Sequence, residues 1–145
     1  LGQESVNVYD LTRSSFVLPK REDQGLTLPL QLGPAEGRVL LLSPAPLLEM
    51  KLDLPETATC GNVAEARITL TSSGGRPMPA AIPVAVRIRD AEGTPAEWDG
   101  YHVVDNGELV LRLQLARDEA PGDWEVHVRE LASGMEAVKW MKVRQ

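Results

Sequence analysis

The chain has 145 residues, room for one domain of ordinary size or for a sandwich of about 100 residues with an added piece, and too few for three domains. Its 43% hydrophobic and 25% charged residues fit a packed core and argue against disorder. With 15 Lys plus Arg against 21 Asp plus Glu, a net charge of -6 and both signs interspersed, it lacks the clustered cations that nucleic-acid binding requires.

The sequence opens at Leu1 with neither an initiator Met nor a signal peptide, which reads as a fragment of a longer polypeptide or a processed form. Residues 1–45 form an N-terminal β segment. Strands are expected at Val6 to Leu11, at Leu26 to Leu32, where leucines recur at every second position, and at Val39 to Leu42, with a polar loop at Lys20 to Gln24. Val39 to Leu42 is continuously apolar, so burial on both faces is expected. No apolar run approaches the ~20 residues that cross a bilayer, so no transmembrane segment is expected. Three strands do not bury two faces alone. They read as the tail of a preceding β domain or as strands docked on the second domain, and packing against the rest of the chain is expected.

Residues 46–145 read as an all-β, antiparallel immunoglobulin-like β-sandwich, because short period-2 segments alternate with turn chemistry. Leu48, Met50, Leu52 and Leu54 share one face of the first strand, and Ala64, Ala66, Ile68 and Leu70 one face of the second. After a turn at Ser73 to Pro77, Ile82, Val84, Val86 and Ile88 point inward, with Pro83 placing this strand at a sheet edge or a bulge. A short strand at Tyr101 to Val104 meets Asn106-Gly107, a pair suited to a type I′ hairpin. Leu109, Leu111, Leu113 and Leu115 then face inward, as do Trp124, Val126 and Val128 after the break at Pro121-Gly122. In the last strand, Met135 to Val143, Ala137, Met141 and Val143 face the core while Val138 and Trp140 face away, so something is expected to cover them.

No catalytic constellation emerges. Glu49, Glu65, Glu125 and Glu136 fall at outward strand positions and read as solubilising charges. His102 and His127 lack the spacing of a zinc site, and no cofactor-binding fingerprint is present. The single cysteine, Cys60, excludes an intrachain disulfide and reads beside Gly61 as a small core or turn residue. Two surfaces remain. The loop bearing Trp98, Asp99, Tyr101 and His102 can stack on and hydrogen-bond a sugar ring, or Trp98 and Tyr101 can cap the core. The stripe of His127 beside Val138 and Trp140 reads as an interface, or as the seat of the N-terminal strands.

In Ile68-Thr69-Leu70, Gly75-Arg76-Pro77, Val84 to Asp90, Gly93, Asn106-Gly107 and Pro121 to Val128, the chain resembles the immunoglobulin-like modules, macroglobulin-type ones included, of bacterial multidomain surface and secreted proteins. Val6 to Leu11, Leu26 to Leu32 and Gly37 to Pro44 are similar to the C-terminal β domains that close bacterial glycoside hydrolases. The resemblance implies a noncatalytic accessory module of an exported protein, in the periplasm or outside the cell, partnered by neighbouring domains of its parent polypeptide. A carbohydrate-binding module and an adhesive, macroglobulin-like domain that meets a protein partner are the rivals.

Overall fold

The alternation from Leu47 to Val143 becomes two facing sheets in the computed structural model, which describes residues 6–145; the start at Leu1 lies outside the described residues. In chain order the strands are β1 (Asn7–Asp10), β2 (Ser15–Val17), β3 (Lys20–Glu22), β4 (Gly25–Thr27), β5 (Leu40–Ser43), β6 (Glu49–Asp53), β7 (Thr57–Thr59), β8 (Val63–Thr71), β9 (Ile82–Arg89), β10 (Gly100–Val104), β11 (Glu108–Gln114), β12 (Gly122–Glu130) and β13 (Glu136–Arg144). One sheet runs β11-β8-β6 and the facing one β10-β9-β12-β13-β7, antiparallel throughout except for the parallel β13–β7 pair. From β6 onward the chain is an immunoglobulin-like sandwich, with its strands exchanged between sheets in Greek-key fashion.

Period-2 patterning gives each inner face its apolar row. Ala64, Ala66, Ile68 and Leu70 of β8 and Leu111 and Leu113 of β11 oppose Ile82, Val84, Val86 and Ile88 of β9, and Trp124, Val126 and Val128 of β12. All are buried, and Met141 and Val143 of β13 extend the row. Cys60, half-buried in the turn after β7, packs on this core with its thiol 3.7 Å from the Glu119 carbonyl.

Three details differ from the reading of the sandwich sequence. β9 is an interior strand, flanked by β10 and β12, although it contains Pro83. The Leu131 N–H donates to the Pro83 carbonyl at 2.9 Å, so the missing N–H of Pro83 lies at the very end of the ladder, where β12 has already turned away. The second detail is the Asn106-Gly107 turn. It has the positive φ of both residues that a type I′ turn needs (50° and 83°), yet its strands part into different sheets after one bridge, Asp105 to Glu108. The Gly107 carbonyl accepts from Leu70 N–H, and a Cβ on Gly107 would lie 2.9 Å from Leu70 O and Met78 N, so the turn is clamped onto β8. Third, the short strand β7 exists where no alternation announced one.

The N-terminal residues make two small sheets, β2-β1-β5 and the β3–β4 hairpin. The expected polar loop at Lys20 to Gln24 is therefore mostly hairpin, and the expected strand at Leu26 to Leu32 stops at Thr27. Pro29 ends it, because a residue without an N–H cannot continue the ladder; Leu26, Leu30 and Leu32 are exposed. Nor is Val39 to Leu42 buried on both faces. Among the described residues β5 is an edge strand paired with β1 alone; Leu41 packs on the core while Val39 and Leu42 stay exposed.

The N-terminal sheet does pack against the sandwich. Tyr9 is buried within the main core, and its hydroxyl accepts the Leu47 N–H at 2.7 Å. Next to it Asp10 organises the β1–β2 turn. One carboxylate oxygen accepts the N–H groups of Thr12 and Arg13 at 2.9 and 3.1 Å, and the other meets Arg38 at 3.1 Å. Both side chains of this ion pair are about nine-tenths buried or more, so the pair fixes where the turn sits.

Candidate functional site

The outer face of the five-stranded sheet carries the surface chemistry of the molecule. Successive rungs place Tyr101, Ala85, Arg129 and Glu136 in one row, Arg87, His127 and Val138 in the next, and Arg89, Glu125 and Trp140 in a third. The β1–β2 turn, Leu11 to Ser14, lies over the first two rows at the β10–β12 side. A Cβ on Gly134 would come within 3.3 Å of the Ser14 carbonyl.

Between turn and sheet runs a cleft of about 540 Å³, lined among others by Arg13, Arg87, Asp99, Tyr101, His127 and Arg129. Arg13 is paired with Glu36 at 3.1 Å, Arg129 with Glu136 at 3.6 Å and Asp99 with Arg89 at 3.6 Å. His127 Nε2 lies 3.4 Å from Glu136. Both Asp99 Oδ2 and His127 Nε2 are buried atoms with no hydrogen bond of acceptable geometry. Among the described residues Arg87 has no ion pair, which leaves one guanidinium and one phenol available to a polar guest, while the Thr12 hydroxyl already accepts the Val39 N–H at 3.1 Å.

The four residues of the sequence-predicted sugar site do not share one surface. Trp98 is half-buried and packs against the core, as the capping alternative requires. His102 points to the same side as the core residue Val104, and its Nε2–H donates to the Trp98 carbonyl at 2.9 Å. Asp99 and Tyr101 do line the cleft, and Tyr101 is 81% exposed. Of the two rings, Tyr101 is the strongly exposed one, and Trp98 rests partly buried against the core.

The residues His127, Val138 and Trp140 do come together. Val138 is the cross-strand partner of His127, and Trp140 that of Glu125. Val138 and Trp140 are 50% and 59% exposed, so the N-terminal strands leave them open and dock nearer β10 instead. Sequence reasoning missed Arg87 as a cleft residue and missed the whole Leu11 to Ser14 wall. Arg87 read simply as an outward strand position; nothing local reveals that a turn from more than seventy residues away would roof it. Among the described residues no group of three His, Cys, Asp or Glu is placed to hold a metal ion, and no helix is long and apolar enough to cross a membrane.

No protein-family model matches the sequence, and no curated protein matches it. Solved structures do resemble it. A CARDB domain of the PF1109 protein from Pyrococcus furiosus is 17% identical, with a TM-score of 0.44 over 66% of this chain and 85% of that one. A β-glucosidase from Listeria innocua is 19% identical, with a TM-score of 0.45 over 66% of this chain and 16% of that one. A superoxide reductase (neelaredoxin) from Ignicoccus hospitalis is 17% identical, with a TM-score of 0.47 over 68% of this chain and 82% of that one. The chain thus spans about a sixth of the β-glucosidase it resembles. At these levels the fold assignment stands on the strand order itself.

Proposed function

We propose that this chain is a noncatalytic accessory module of a larger exported protein, an immunoglobulin-like sandwich whose outer β12–β13 face seats a neighbouring domain. The observation that supports it is the pair Val138 and Trp140, side by side on adjacent outward positions and left uncovered by the only other strands in the described chain. Covering two apolar side chains of this size contributes on the order of a few kcal/mol before the costs of ordering. The charged groups next to them, Glu125 and Lys142, give the patch a polar rim of the kind that borders domain interfaces. The N-terminal segment, residues 1–45, is the connection through which a preceding β domain is positioned. Its buried Asp10–Arg38 pair and the Tyr9–Leu47 bond make it a stiff joint rather than a loose linker.

An antibody raised against this chain tests the proposal on fractions of the source cells and their medium. A native band well above 15.8 kDa outside the cytoplasm is expected. A cytoplasmic band at 15.8 kDa would refute the accessory-module reading and leave a small standalone protein.

A further inference from the structure

An edge strand exposes unpaired backbone groups, and proteins that stay apart protect such edges with charge, proline, a bulge or brevity. Three of the four edges of this sandwich follow that rule. β6 carries Glu49, Lys51 and Asp53; β11 carries Glu108 and Arg112; β7 is three residues long. The fourth, β10, reads Gly-Tyr-His-Val-Val and contains no formally charged residue and no proline.

The ladder fixes which groups β10 leaves free. The Pro83 carbonyl is taken by Leu131 N–H on the β12 side, so Val84 and Val86, one residue out of phase, aim their backbone groups at β10. Their partners there are His102 and Gly100. The N–H and C=O groups of Tyr101 and Val103 therefore point away from the sheet, into an edge that no strand among the described residues pairs with. Their side chains are 81% and 52% exposed on the outer face.

We propose that β10 is the contact of a two-fold homodimer, in which two copies join edge to edge into one continuous sheet. An antiparallel pairing centred on His102 sets Tyr101 opposite Val103 of the second copy and Val103 opposite its Tyr101. Each pairing exchanges two backbone hydrogen bonds, so all four free N–H groups and all four free C=O groups of the two strands are satisfied by one symmetric register. The same register places an aromatic ring directly across from a β-branched side chain, a favourable cross-strand combination. Any extended strand offers this backbone spacing, and what a second copy adds is the Tyr101–Val103 side-chain pair, repeated at both rungs by the two-fold axis. At each end Asp105 approaches Asp99 of the second copy, and each chain carries a net charge of -6, so association strengthens as salt screens the repulsion.

Sedimentation equilibrium of the 145-residue chain over a wide concentration range tests this. The weight-average mass is expected to climb from 15.8 kDa toward twice that value, and to climb earlier when salt is raised. Val103→Pro removes an N–H that faces only the open edge, so the fold is retained while the concentration dependence is lost. Tyr101→Lys, which restores a charge to the edge, gives the same loss and serves if the proline variant does not fold. Trp140→Ala leaves the dimer unchanged, which separates this contact from the β12–β13 face. A mass fixed at 15.8 kDa, a dimer weakened by salt, a dimer lost in Trp140→Ala, or a dimer that persists in both edge variants would each overturn the proposal.

Discussion

Replacing Trp124 with alanine is expected to cost about 3–5 kcal/mol of folding free energy, the range for truncating a fully buried tryptophan. The side chain is the largest of the fully buried ones and 1% exposed. It stands on the inner face of β12, across from Met141 on β13. Its indole N–H donates to the Ala120 carbonyl at 3.0 Å, which ties the start of the strand to the loop before it. Truncation removes the ring's contacts and leaves that carbonyl without its donor, and the surrounding β-ladders are too regular to collapse into the space. Urea unfolding of the two proteins measures the difference. A loss below about 1 kcal/mol would mean that the centre of the core lies elsewhere.

Glu130→Ala is expected to cost about 3 kcal/mol, unusual for removing a carboxylate from a protein already rich in acids, because the buried side chain is the acceptor for three backbone donors, one buried and two partly buried. Glu130 is fully buried at the end of β12. Its carboxylate accepts the N–H of Ala132 at 2.8 Å, that of Ser133 at 3.0 Å and that of Met135 at 2.8 Å, as well as the Ser133 hydroxyl. One side chain thus organises the whole turn that joins β12 to β13. Alanine leaves three N–H groups with no acceptor, each costing about 1 kcal/mol or more where water cannot reach, and loosens the hairpin that presents Val138 and Trp140. The same unfolding experiment reads the loss, and hydrogen exchange at Ser133 and Met135 should accelerate. Unchanged stability would show that other acceptors or water take the place of the carboxylate.

What the sequence conveys well is the sandwich. A strand with one face in a core has to alternate, and Ile82 to Ile88 or Ala64 to Leu70 do so without interruption, so their orientation can be read by counting alternate residues. The N-terminal strands are harder to read because they are short and one sheet has no second layer over part of its surface. Alternating leucines at Leu26 to Leu32 resemble a strand until Pro29 is given its due, and the apolar run at Val39 to Leu42 sits on an edge with solvent beyond it.

The polar anchors are illegible for another reason. Asp10 and Arg38 lie 28 residues apart, and Glu130 binds backbone groups that leave no trace in side-chain identity. Of the candidate sites, the Val138 and Trp140 pair is evident from period-2 counting, since a two-faced apolar strand has to show one face to something. The cleft depends on where a distant turn docks, and only the folded chain brings Arg87 and Tyr101 beneath Leu11 to Ser14.

If the β12–β13 face is the seat of a neighbouring domain, Trp140 changes its exposure when that domain is present. Hydroxyl-radical footprinting of Trp140, in this chain alone and in the longest natural polypeptide that contains it, reads this most directly. Oxidation of Trp140 in the isolated chain and strong protection in the longer polypeptide are the predicted results, with the buried Trp124 protected in both. Equal oxidation of Trp140 in the two would contradict a docked domain at this face.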